Sequence, residues 1–279
     1  MIMVFKSAKG LKEGAEEAHL MQEFGIETKV LNVAEIHALE PDLRTDVIGG
    51  VFFPQDAHLI PDKFVRGLAR HIEKHGVAIH TNTEVHDFET SDGKVTAVKT
   101  SQGDFAADEV VLAGGSWSPG IAQTLQIKLP IQPGKGYSVT VKRPEKCPVI
   151  PLMLAEAKVA VTPMGDMLRF AGTLELAGLD LSTNKRRVHA IEKAVSEYLP
   201  DIDFDYLELI EVWHGLRPCT PDGLPFLGRK SPYKNLTVAA GHAMIGLSLG
   251  PITGKLVSQL VVGEKPSVDL TMLNVERFG

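Results

Sequence analysis

The chain has 279 residues, 44% apolar and 23% charged, with a net charge of -6. That is ordinary globular composition, enough for one large domain or two smaller ones with cores of their own. The negative balance, without any conspicuous lysine and arginine cluster, argues against a nucleic-acid or anionic-membrane surface. Two cysteines, Cys147 and Cys219, make neither a disulfide framework nor a metal cage and read as free thiols in a reducing compartment. No apolar run reaches transmembrane length, and the opening MIMVFKSAKG is too short and too polar for a signal peptide. The expected location is cytoplasmic, with peripheral contact at the inner membrane left open.

Residues 12–24 have helical composition that Gly25 can end, and residues 26–31 form a short strand. Asn32 and Glu35 make a capping box that opens a short helix stopping before Pro41. Residues 49–53 are a strand. Pro61 suits the first position of a helix whose stripe Phe64, Leu68 and Ile72 runs to Gly76. His71 and His75 share the outer part of that helix but lack a third metal ligand. From Val77 the periodicity becomes alternating: residues 77–81, 85–88, 95–100 and 104–106 are strands punctuated by Ser-Asp-Gly and Ser-Gln-Gly turns. The apolar run that follows Glu109 suits a strand buried on both faces. It feeds Gly114 and Gly115 and then a short helix, an arrangement in which a ligand can meet backbone.

Residues 129–173 are strand-rich and contain Gly134-Lys-Gly-Tyr-Ser138, where Lys135 and Tyr137 line either a pocket or simply a turn entering a strand. Residues 184–198 form an amphipathic helix with Val188, Ile191, Val195 and Leu199 on one side. A strand over 205–211 leads into an irregular, proline-rich stretch from Trp213 to Gly228 that holds one fixed cation, Arg217. Residues 236–240 read as a buried strand, Gly241-His242 end it, and a helix runs from Gly246 to Val262. Strand, glycine turn and helix start present free backbone N–H groups together with the helix's partial positive charge. Gly246, Gly250 and Gly254 lie along one face of that helix, giving either close approach to a ligand or tight packing on a sheet.

No GxGxxG, P-loop, HExxH or CxxC occurs, and the ten histidines have no ligand rhythm, so no metal is expected. Arginine beside an aromatic residue in such a stretch can hold a carboxylate bidentately, and Arg217 is singled out for that reason. The alternative is a structural ion pair with a carboxylate such as Asp222. His242 and His58 are either ligand contacts or local backbone partners, and Tyr137 either a pocket residue or a half-buried core aromatic.

Four stretches together carry a resemblance: GVFFPQDAHLIP (50–61), DEVVLAGGSWS (108–118), WHGLRPCTPD (213–222) with Pro225 and Gly228, and NLTVAAGHAMIGLSLGP (235–251). In this order and spacing they resemble the FAD-dependent amino-acid oxidoreductases, the family of D-amino acid oxidase, glycine oxidase, sarcosine oxidase and D-amino acid dehydrogenase. The GKGYS segment (134–138) is most similar to the D-amino acid dehydrogenase branch. The resemblance implies an α/β (α+β) fold in which a Rossmann-like FAD-binding domain is interleaved with a substrate domain on a mixed, largely antiparallel sheet. Residues 57–122 and 205–279 correspond to the first, 1–56 and 123–204 to the second. It implies FAD contacts at Gly114, Gly115, Gly241, His242, Gly246, Leu247 and Ser248. Arg217 would clamp the substrate carboxylate, with Tyr137 catalytic beside it and His58 a further substrate contact. The implied reaction is oxidative deamination of a D-amino acid by hydride transfer to flavin N5, with oxygen or a quinone-linked carrier as the electron acceptor. A glycine- or sarcosine-type amine oxidase and a non-catalytic small-carboxylate-binding module are the alternatives.

Members of that family begin with a strand, a GxGxxG turn and a helix that hold the FAD pyrophosphate, and this chain begins after them. At least one unit of about 30 residues is therefore expected to be missing. The 279 residues are expected to form an incomplete FAD domain that binds FAD weakly or not at all.

Overall fold

In the computed structural model, which describes residues 1–41 and 43–278, the chain divides into two compact units. Unit 1 comprises Met1–Phe64, Gly136–Glu175 and Leu181–Gly215; unit 2 comprises Val65–Lys135, Leu176–Asp180 and Leu216–Gly279.

The first strand, β1 (Ile2–Phe5), was not anticipated: four apolar residues give no alternation to read, and the strand is defined by neighbours on both sides. Helix α1 (Ala8–Glu23) starts earlier than expected because Ser7 caps it, accepting from Gly10 N–H at 3.0 Å. Strand β2 (Lys29–Leu31) precedes α2 (Val33–Leu39), which opens with the reciprocal Asn32–Glu35 capping box. Strand β3 (Gly49–Phe52) and helix α3 (Pro61–Lys74) follow.

The expected strand over 77–81 is absent: residues 77–80 pair with no described strand, and Val77 and Ile79 remain exposed. Apolar alternation supplies a face, but a strand also needs a partner for its N–H and C=O groups. Strands β4 (Val85–Ser91), β5 (Lys94–Thr100) and β6 (Gly103–Ala106) then form the expected antiparallel meander. They lead to β7 (Val110–Leu112) and α4 (Ser118–Gln123).

The remaining elements are β8 (Gln132–Lys142), β9 (Leu152–Leu154), β10 (Val159–Met164), β11 (Met167–Glu175) and α5 (Lys185–Tyr198). After these come β12 (Leu209–Cys219), β13 (Phe226–Lys230), β14 (Tyr233–Ala240) and α6 (Gly246–Val261).

Eight strands make one sheet in the order β12-β8-β11-β10-β9-β1-β3-β2. Within it β1 runs parallel to β9, while β1–β3, β2–β3, β9–β10 and β10–β11 are antiparallel. Its core gathers Ile2, Val139, Leu154, Val161, Phe170 and Ile191, each at most 1% exposed. Unit 2 holds the meander and a three-stranded sheet, β13-β14-β7, in which β14 and β7 are parallel. The buried Asn235 side chain fixes the start of β14. Its amide accepts from Val95 N–H and donates to the carbonyls of Val95 and Asp108, tying β14 to β5 and to the segment that leads into β7. The architecture is thus mixed α/β with largely antiparallel sheets.

Candidate active site around Arg217

Arg217 lies on β12. The proline-rich irregular stretch expected from Trp213 onward is strand as far as Cys219, because β12 pairs with β8 at the end of the described sheet, and an edge strand tolerates a proline. The guanidinium is half-buried, and burial lowers its pKa, although arginine stays cationic at neutral pH. Asp222, the acid suggested for a structural ion pair, is gripped by Arg277 at 2.7 and 3.0 Å. That pairing holds the Asp222 carboxyl down at about 2.

Two glycine turns hold the backbone on either side of Arg217. From the turn after β7, Ser116 Oγ donates to the carbonyl of Leu216 at 3.3 Å. From the turn after β14, Ala243 N–H donates to the carbonyl of Pro218 at 3.0 Å. The first turn contains Gly114 and Gly115, the second Gly241 and His242, so unit 2 gathers these four residues and Arg217 at one place.

The second turn depends on its glycine. Gly241 has φ +87°, and a Cβ there would sit 2.6 Å from Thr220 Cγ2. Ala243 takes φ +48° without being glycine, a conformation held by its bond to Pro218. His242 Nε2 lies 3.0 Å from Thr253 Oγ1 on α6, and burial lowers the imidazole pKa, keeping the ring neutral at pH 7.

Helix α6 begins at Gly246, one turn on, and has no side-chain cap. Gly246, Leu247 and Ser248 therefore form its first turn, where amides point outward and the helix dipole favours negative charge. Along the same helix a Cβ at Gly250 or Gly254 would meet nothing within 4 Å, and the same holds at Gly115. A planar group can lie against these positions, and in this respect they fit the ring end of a flavin. The pyrophosphate end has no GxGxxG loop in this sequence.

The other two expected substrate residues belong to unit 1. Tyr137 is 1% exposed on β8; its hydroxyl donates to Glu175 at 2.6 Å and accepts from Asn184 N–H at 3.3 Å. His58 is exposed in an irregular segment before α3. Among the described residues no group of three or more His, Cys, Asp or Glu is arranged for a metal, and no helix is long and apolar enough to cross a membrane. Clefts of about 650 and 790 Å³ on unit 2 are lined by other residues, such as Ile127, Val275 and Phe278 in the smaller. Sequence reasoning passed over Ser116 and Ala243. Ser116 carried a signal, a hydroxyl directly after two glycines, whereas nothing in the sequence marks Ala243 for a left-handed conformation.

A family model described as FAD dependent oxidoreductase matches residues 1–260. The chain belongs to that family. It is 34% identical to a D-amino acid dehydrogenase of Granulibacter bethesdensis over 286 residues, covering 99% of this chain and 67% of the relative. A D-amino acid dehydrogenase of Vibrio atlanticus is 32% identical, with the same 99% and 67% coverage. The chain thus spans about two thirds of the length of these curated relatives. Among solved structures, glycine oxidase from Geobacillus kaustophilus superposes with a TM-score of 0.91 at 26% identity, covering 100% of this chain and 74% of that one. As a member of the family, the chain is an oxidoreductase homologue whose cofactor is FAD.

Proposed function

We propose that this chain provides the flavin-ring and substrate-carboxylate part of an enzyme that oxidatively deaminates amino acids, with D-amino acids as its substrates. The observation that carries this reading is the bracketing of Arg217 by the two glycine turns, through Ser116 to Leu216 and Ala243 to Pro218. The sequence likeness to D-amino acid dehydrogenases supports the substrate class.

FAD, when bound, supplies the two-electron acceptor for oxidation of the substrate's C–N bond. The protein's part is to bind and orient. Arg217 takes the substrate carboxylate in paired hydrogen bonds, strengthened by its partial burial, and so anchors the α-carbon close to the site. The first-turn amides of α6, at Gly246, Leu247 and Ser248, favour negative charge at the pyrimidine edge of the ring. His242, tied to Thr253 and neutral, steadies the turn that leads into them. Gly114 and Gly115 give the ligand close access to backbone. For His58 and Tyr137, on unit 1, a substrate role rests on the resemblance alone; the Tyr137 hydroxyl donates to Glu175. Oxygen or a quinone-linked carrier takes the electrons.

Unit 2 is, on this proposal, an incomplete Rossmann-like domain. The parallel pairing of β14 with β7, the free outer edge of β7 among the described strands and the unburied helix α3 support that reading. Weak affinity of this chain for FAD follows from it.

The test is a calorimetric titration of the chain, with FAD in excess, by D-alanine and by D-alaninamide, which lacks the carboxylate. Arg217→Ala is expected to weaken D-alanine binding by roughly 100-fold, the scale of losing one partner of a desolvated charge pair, and to change D-alaninamide little. Equal losses for both ligands would remove the carboxylate role.

A further inference from the structure

Met244 and Ile245 are 74% and 50% exposed, at the tip of the turn between β14 and α6. Two adjacent large apolar side chains facing solvent in so constrained a turn ask for an explanation. The turn is anchored at one end by Gly241 against Thr220 and in its middle by Ala243 N–H on the Pro218 carbonyl. Ala243 at φ +48° sharply redirects the chain immediately before Met244. A non-glycine residue is kept in that region only where its surroundings over-determine it, and such positions gather at ligand sites. Ile245 is also the residue before the first turn of α6, and its carbonyl accepts the helix's first bond, from Leu249 N–H at 2.9 Å. The two side chains are therefore presented by a rigid turn, hydrogen-bonded to the residue next to Arg217.

We propose, granted the carboxylate role of Arg217, that Met244 and Ile245 form the wall that receives the substrate's side chain, so that the site selects amino acids with bulky apolar side chains. An amino acid held at Arg217 by its carboxylate has its side chain free to reach a neighbouring surface. Met244 and Ile245 offer that surface no charge and no fixed hydrogen-bond donor. Methionine's flexible thioether adapts to branched and aromatic shapes alike, which suits selection by class rather than for one side chain. An acidic or basic side chain would lose hydration against this wall without gaining a partner.

The test uses the chain carrying ¹³C-labelled methionine methyls, with FAD in excess, titrated by D-leucine and by D-alanine. Loss of one resonance in Met244→Leu identifies the Met244 methyl. D-leucine, with three more side-chain carbons, is expected to shift that resonance saturably and to bind at least about tenfold more tightly than D-alanine, the lower end of what even one methylene brings in an apolar pocket. Met244→Ala combined with Ile245→Ala should bring the two affinities together without weakening D-alanine, while Met244→Leu should keep the preference. Binding that requires Arg217 yet leaves the Met244 methyl unmoved, with the D-leucine preference intact in the double variant, overturns the selectivity role and leaves the carboxylate role standing. Binding indifferent to Arg217→Ala, or no binding of either amino acid, overturns the proposed function and this wall with it.

Discussion

Helices α3 and α5 are both 14 residues long and both carry an apolar stripe, yet they end differently. Helix α5, in unit 1, packs on β10 and β11 and buries Val188, Ile191, Val195 and Tyr198. Helix α3, most of which lies in unit 2, buries no residue at all: Phe64, Val65 and Leu68 are 38%, 54% and 50% exposed. The stripe on α3 is no weaker in the sequence. The difference lies in what stands opposite, since an amphipathic helix gains its stability from the surface it packs on more than from propensity. Unit 1 has an eight-stranded sheet to offer; among the described residues, 77–80 and the outer edge of β7 show unit 2 short of partners in the same way.

The sharpest way to break this contrast is hydrogen exchange. Amides of α3 should exchange at least ~100-fold faster than those of α5, because local opening of a helix without buried contacts costs little. Equal protection would mean that α3 is covered in solution. Next in size, Ile191→Ala should cost about 2–5 kcal/mol of stability in urea unfolding, since Ile191 is 0% exposed, whereas Leu68→Ala should stay under about 1 kcal/mol. A Leu68 loss as large as that of Ile191 would dissolve the distinction.

The smallest effect concerns acid. In unit 1, burial disfavours the Glu156 carboxylate, but hydrogen bonds from Tyr198 and Ser7 outweigh it and hold the group at about 2. Its ordinary value is near 4.5, so its contribution is present above that pH and lost as pH falls toward 2. Urea unfolding from pH 7 to pH 2 should therefore show a shallower decline for Glu156→Gln, starting from slightly lower stability at pH 7. An unchanged slope would show that Glu156 is no better held in the native state than in the unfolded one.

How much of the site could be read in advance divides along similar lines. Gly241, His242 and the start of α6 at Gly246 were legible because strand, glycine and helix periodicities meet there within ten residues. Arg217 stood out as the one fixed cation of its stretch but was misplaced as structure. Its prolines suggested a loop, and only the pairing of β12 with β8 makes it a strand. The Arg217–Asp222 pair was a fair local guess, but Arg277, 55 positions away from Asp222, takes the acid. No local pattern encodes a partner at that distance.

The sequence alone determined the capping box at Asn32, the proline start of α3, the stripe of α5, the meander and the glycine turns, because each arises from neighbours within a few residues. Tertiary structure alone decided that β1 is a strand, that residues 77–80 are not, and that α5 is buried while α3 is bare. It also decided that two distant turns fasten the backbone beside Arg217, through the carbonyls of Leu216 and Pro218. Those outcomes depend on which surfaces and hydrogen-bonding groups meet in space, and short-range patterns of residues specify the groups without specifying the meeting.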